Sequence, residues 1–465
     1  MRARILDASR RRARCSRAIE RSRWLMPAIS AIALLLLVGL ALGDPIMALI
    51  VTGGATWLFV ALSTARLPVE RWSPLRFFLP IFATYNALSI YSAHVDTAAY
   101  QVLLVTIAGI SFSVGTQIRR RQLPEPDPAN GGHRRVRVML WPVLVGLVVS
   151  LSAFVVLAYR AGGIPLLAHD ANAARVDFFP NGYSSTLVVV GLSVSLYASV
   201  LAISSGTSNI RASRVWWVIL VLTVLLLAAT ANRGLLVEPI VLSTILVLWH
   251  RRLRVGLAVA MGFAGLIVFS ILGYMRNLAS FGPTYISDLA GQGFEGPRRF
   301  LGPLQLYVAG TSQTLDKTIS FVPDRIPFQL GKQFFGPLLH QPSADLFLKN
   351  AFGMHFEGFG LALGAVNAFY LDWGPVGVAG GFGLFGWASA VLYRRARAGD
   401  RRWWVLYCYW LTNLVLSNYG HPFAYISRLL VPALLLCVIA APGRETWLEW
   451  GFRRLGRQPR VERIP

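Results

Sequence analysis

The sequence predicts an all-α polytopic membrane protein of about 12 transmembrane helices with one large outer-face loop region, and three observations predict it. Of 465 residues, 55% are hydrophobic and only 14% are charged. The apolar residues gather into runs of 16 to 23, long enough as helix to cross roughly 30 Å of hydrocarbon. The arginines cluster beside these runs, at every second boundary. A spanning element in lipid must satisfy its own backbone hydrogen bonds, and these runs have neither the alternation nor the brevity of barrel strands, so helices follow.

The runs fall at 24–42, 45–64, 77–93, 97–116, 138–158, 182–204, 215–231, 234–249, 255–275, 373–393, 403–420 and 424–441. Nine arginines precede the first, a basic segment too long for a signal peptide, so that run reads as an uncleaved helix. With a cytoplasmic N-terminus, alternation places 34 of the 45 basic residues inside, among them Arg119-Arg120-Arg121, Arg251-Arg252 and Arg394-Arg395. One span more or fewer would put such a cluster on the wrong side. The chain therefore reads as a single integral membrane domain, 1–465, with both termini cytoplasmic (1–23 and 442–465) and two elaborate outer segments, 159–181 and 276–372. The second of these mixes Gly, Pro, aromatics and short apolar patches, which suits a segment folded over the membrane face.

The formal charge of +24 does not indicate a nucleic-acid partner, because its 42 Arg and 3 Lys lie mostly where topology requires them. Basic segments at a membrane surface attract anionic lipid headgroups, which accounts for the charge. Cys15 is in the basic N-terminus, and Cys408 and Cys437 are inside apolar runs, so neither an outer disulfide nor a Cys-x-x-Cys metal site is expected. The halves show no repeat of the kind that secondary transporters carry.

Functional residues are sought on the outer face, where the cytoplasmic loops' brevity has no counterpart. Asn232-Arg233-Gly234 is the whole turn between the seventh and eighth runs, which fixes a guanidinium at the membrane boundary. Arg233 either pairs with Glu238 in the next run or clamps an anion such as a lipid diphosphate, for which arginine offers a planar, permanently charged, two-point grip. Arg276, after the ninth run, and Arg428, within the twelfth, sit where topology needs no cation. Arg160 and Arg175 in the first outer segment serve equally as solvated loop charge or ligand contact. Asp372 precedes the tenth run and reads as a helix N-cap or as a general base on a sugar hydroxyl. His355 and Glu357, some 15 residues earlier, carry the same two readings, loop residue or base. No His-Glu-x-x-His, Asp-x-Asp or Cys/His cluster occurs, so neither metal nor cofactor is expected.

Three patches taken together resemble the oligosaccharide repeat-unit polymerases, the Wzy-type O-antigen polymerases. They are Gly162-Gly163-Ile164-Pro165-Leu166-Leu167 with Arg175 and Phe178, then Thr230-Ala231-Asn232-Arg233-Gly234, then Tyr370-Leu371-Asp372-Trp373-Gly374 with Gly377. The resemblance implies a GT-C-like membrane glycosyltransferase at the outer face of the bacterial inner membrane. Its donor and acceptor would be polyprenyl-diphosphate-linked oligosaccharides, and it would work with a flippase and a chain-length regulator. In this scheme Arg233 and Arg276 hold the diphosphate, Arg428 and Arg175 assist, and Asp372, Glu357 or His355 takes the acceptor proton. An O-antigen ligase shares the chemistry and architecture, and a polysaccharide flippase is the alternative from a different class.

Overall fold

Helix is the only regular structure among the described residues of the computed structural model, which are 73–90, 95–118, 138–169, 171–178, 183–204, 210–230, 241–242, 245, 271, 302–335, 363–397, 401–420 and 426–439. The elements are α1 (Pro74–Ile90), α2 (Val95–Gln117), α3 (Leu140–Arg160), α4 (Ala171–Phe178), α5 (Tyr183–Ser204), α6 (Ile210–Ala229), α7 (Gly302–Phe321), α8 (Lys332–Phe335), α9 (Ala365–Arg397), α10 (Arg401–Leu416) and α11 (Ile426–Ile439). Eight of the expected spans coincide with helices. The runs at 24–42, 45–64, 234–249 and 255–275 lie wholly or almost wholly outside the described residues.

Three of the described helices, over Thr97–Gln117, Leu140–Arg160 and Ala365–Arg397, are long and apolar enough to cross a membrane. Their packing suits a lipid surround. On α3 a stripe of Val143, Leu147, Ser150, Phe154 and Leu157 faces the protein, at the spacing of one helix face. The opposite face leaves Trp141, Val145, Val148 and Val155 exposed, which in water would be an aggregation surface and in hydrocarbon costs nothing. The packing order runs from α6 to α5, from α5 to both α3 and α11, and then through α10 to α9, α2, α1 and α7.

The most extensive contact is between α2 and α9, and small residues permit it. A Cβ on Gly115 would lie 2.1 Å from the Gly383 carbonyl oxygen, and one on Gly386 would lie 2.1 Å from that of Phe112. The two backbones therefore touch, and the aromatic rings of Phe78, Phe82, Phe112, Phe382 and Phe385 fill the space around the crossing.

Helix ends that the arginine pattern assigns to one side lie together. The Met139 amide opening α3 donates to the carbonyl of Ile439, the last residue of α11, at 3.3 Å. At that same expected inner side, the Arg395 guanidinium stacks 4.2 Å over the Trp403 ring across the turn from α9 to α10. At the expected outer side, the Ala365 amide opening α9 donates to Ser417, just past α10, at 2.7 Å.

Two features depart from the sequence reading. The segment 276–372 contains a 20-residue helix, α7, packed against α1, α2 and α9. Its Thr, Ser, Gln and Asp residues break the apolar run, yet Thr311, Ser312, Thr314, Asp316 and Thr318 are all buried. Similarly, α9 begins at Ala365, eight residues before the apolar run. It is broken once, at Trp373 and Gly374, before resuming at Pro375. Gly374 has φ +63°, a left-handed conformation that a side chain resists, and the Phe328 ring lies against it.

Candidate functional site

Two constructions at the expected outer ends of the helices stand out. The first is a narrow cavity between α1, α2, α7, α9 and the turn after α10, with apolar walls from Phe82, Ile90, Val105 and Leu315. Its polar lining comes from residues that sit singly in apolar or mixed stretches, so each must find its partner on another helix or lose hydrogen bonds in a low-dielectric interior. Gln101 on α2 and Ser312 on α7 do so reciprocally: the amide nitrogen donates to the Ser312 carbonyl at 3.3 Å, and the Ser312 hydroxyl donates to the amide oxygen at 2.7 Å. Asn86 on α1 donates to Asn418 at 3.3 Å, and the Ser89 hydroxyl donates to the Val308 carbonyl at 2.6 Å. The Thr97 hydroxyl donates to the buried Asp316 carboxylate, and the Gln101 amide reaches Thr97 at 3.4 Å, so a carboxylate is linked by hydrogen bonds to the cavity wall.

Asn367, in the first turn of α9, also lines this cavity and is only 1% exposed. Neither its amide nitrogen nor its amide oxygen has a hydrogen-bond partner. A buried amide in that condition costs about 1–3 kcal/mol. The neighbouring backbone is drawn in tightly, since a Cβ on Gly364 would lie 2.5 Å from the Asn418 carbonyl oxygen.

The second construction surrounds the break in α9. Breaking a helix releases carbonyls, and two of these are taken up by the segment before α8: the Gln329 amide donates to Leu371 and the Leu330 amide to Asp372, both at 3.0 Å. The Asp372 carboxylate in turn accepts the Gln333 backbone N–H at 3.0 Å. Asp372 is thus not the cap of its own helix, where Gly374 and Pro375 occupy the start of the second half. It caps α8, 39 residues earlier in the chain, and at 0% exposure it has no contact with solvent. This geometry makes Asp372 a fastener of the 329–335 segment. Asp372→Ala is expected to lower the thermal stability of the detergent-solubilised protein by about 1.5–3 kcal/mol, the worth of a hydrogen bond to a charged group, whereas Asp372→Asn keeps an acceptor and most of that stability. Thermal unfolding, with the activity expected from the sequence measured on the same variants, separates the two roles. A normally stable Asn variant that has lost activity would mark Asp372 as a base, and one that keeps activity would mark it as a fastener.

The first outer segment folds back on α3. Gly162, at φ +75°, and Gly163, at φ +154°, end that helix, with the Gly163 amide donating to Ala158 at 2.8 Å. Pro165–Leu167 then forms a 3-10 turn that packs against α4 and against α6. Phe178, wholly buried at the end of α4, stacks on Phe154 of α3 at 5.1 Å. The chain leaves α6 at Thr230, two residues before the Asn232-Arg233-Gly234 turn. The 162–167 patch therefore lies against the helix that leads directly into the 230–234 patch, while the 370–374 patch is on α9, reached through α5, α11 and α10.

Of the residues singled out by sequence, Arg160 is exposed at the last turn of α3, where a cation favours the helix dipole, and Arg175 is half-buried on α4. Arg428 lies in the first turn of α11. Arg233, Arg276, His355 and Glu357 lie outside the described residues. Among the described residues no group of three or more His, Cys, Asp or Glu side chains could hold a metal ion. The residues that sequence reasoning missed are Asn86, Gln101, Asp316 and Asn367. Their one sequence signal is that amides and a carboxylate stand within stretches otherwise fit for burial. Comparison with protein-family models, with curated proteins and with solved structures finds no match.

Proposed function

We propose that this chain is a membrane glycosyltransferase that polymerises polyprenyl-diphosphate-linked oligosaccharide repeat units at the outer face of the bacterial inner membrane, without metal or nucleotide sugar. The observation that carries the reading is the meeting of Pro165–Leu167 with α6, because it brings one of the three family-like patches to the helix that ends at another. The chemistry agrees. A diphosphate leaving group gains charge as the glycosidic bond breaks, and fixed guanidinium groups in a water-poor site stabilise that charge without reorganising. Arg233 and Arg276 fill that role, with Arg428 and Arg175 assisting. The proton of the acceptor hydroxyl goes to Glu357 or His355, or to Asp372 if the α8 contact opens. Positioning two large lipid-linked substrates supplies much of the remaining acceleration.

The glycan profile of a deletion strain tests the reading. Surface lipid capped with single repeat units is the expected result. Polymer accumulating on the carrier lipid would identify a ligase instead, and repeat units stalled on the cytoplasmic leaflet would identify a flippase.

A further inference from the structure

We propose that the cavity lined by Asn86, Gln101, Ser312, Asn367 and Asn418 is a neutral-sugar subsite, in which the Asn367 carboxamide holds a hydroxyl of the lipid-linked saccharide; this rests on the glycosyltransferase reading above. The lining decides the class of ligand. The described lining holds no charged side chain, and the Asp316 carboxylate stands behind Thr97, outside it. The lining has amides and hydroxyls instead, which present donors and acceptors side by side. A sugar hydroxyl both donates and accepts, and so can use both halves of one carboxamide. The cavity has a volume of about 10 Å³, room for one water-sized group, so it takes a single hydroxyl and leaves the sugar ring outside.

The placement of Asn367 carries the inference. Its neighbours in the cavity already spend their polar atoms on each other: Gln101 with Ser312, Asn86 with Asn418. Asn367 spends neither of its own, though it is 1% exposed and lies in the first turn of the helix that carries the 370–374 patch. A side chain that only filled space at this point would be better as leucine. An amide with both ends reserved, five residues from Asp372 on the same helix, is placed to read the saccharide while the arginines hold the diphosphate. The division of labour predicts that Asn367 governs which sugar is accepted and not whether a lipid diphosphate binds.

The test uses the purified full chain with two probes: the lipid-linked repeat unit extracted from the deletion strain, and bare polyprenyl diphosphate. The wild type should bind the first at least tenfold more tightly than the second. Asn367→Leu should erase that margin and leave the affinity for bare polyprenyl diphosphate unchanged. Asn367→Ser provides the same readout if the leucine variant yields too little protein, since its shorter side chain no longer reaches a ligand and carries no carboxamide. A leucine or serine variant that binds the repeat-unit lipid as the wild type does would overturn the proposal, leaving a trapped water as the partner of Asn367 and the glycosyltransferase reading intact. A wild-type protein that binds neither lipid would overturn both.

Discussion

Gly386→Val is expected to remove most of the folded protein from the membrane. The position is on α9 where it crosses α2, and a Cβ there would lie 2.1 Å from the Phe112 carbonyl oxygen and 2.9 Å from its carbonyl carbon. These are backbone atoms within a helix, so no rotamer change can relieve the clash. The helices must separate, and separation loosens Phe112, Phe382 and Phe385 around the crossing, each 1% exposed or less. Overpacking a well-filled interior costs about 1–3 kcal/mol when side chains can adjust, and more when two backbones must part. For a protein with a stability of about 5–15 kcal/mol, a loss at or beyond the top of that range depletes the folded population severely. Gly380→Ala on the same helix is the control, since nothing lies within 4 Å of its Cβ, and it should be neutral or stabilising by up to about 1 kcal/mol. Membrane abundance and the melting temperature of solubilised protein for the two variants check this. Equal behaviour would mean that the crossing is looser than its backbone contacts require.

On the proposed polymerase reading, Arg233→Ala is expected to slow polymerisation by about 10- to 150-fold at normal protein abundance, the kinetic equivalent of losing a charge-assisted contact of roughly 1.5–3 kcal/mol. Arg233 itself is outside the described residues, but the chain enters its turn from Thr230, which is fully buried and whose hydroxyl bonds the Leu227 carbonyl at 2.6 Å. Arg233→Lys should recover only part of the rate, because an ammonium keeps the charge without the planar two-point grip. The rival role, neutralising Glu238 within the bilayer, gives a different pattern. There Arg233→Ala strands a charge and lowers abundance, and Arg233→Ala with Glu238→Ala restores both protein and polymer. Surface polymer length and membrane protein level, measured on the single and double variants, decide between the two.

Four of the twelve apolar runs lie wholly or almost wholly outside the described residues; the other eight were legible as helices, because hydrocarbon imposes one period and one length on a helix. The same rule hid α7 and the first turns of α9. Both are buried against protein: on α7, Thr311, Ser312 and Asp316 meet Tyr85, Gln101 and Thr97 of neighbouring helices, while Thr314 and Thr318 bond carbonyls of their own helix. Charge is the legible functional signal, since an arginine near hydrocarbon is costly enough to ask for a reason. Amides ask for none when read one at a time. Asn86 meets Asn418 across 332 positions, and Asp372 finds Gln333 in a segment that reads as loop. Such pairings depend on which helices are neighbours, and hydropathy does not encode that. The role of Gly162 and Gly163, by contrast, lies in their local chemistry: two glycines before Ile-Pro close a helix whatever else they do.

The partners in the polar cavity are also far apart in time. Gln101 and Ser312 are separated by 211 residues, which a ribosome takes roughly 10–40 s to add. Throughout that interval Ser89 and Gln101 lack the partners that α7 gives them, and Asn86 keeps only its bond to the Phe82 carbonyl one turn back. Lipid cannot stand in for them. A chain stopped before α7 leaves Ser89 and Gln101 without those partners, whereas in the finished one both are bonded. Membrane proteases that recognise stranded polar groups thus have a mark by which to tell an abandoned nascent chain from a completed bundle.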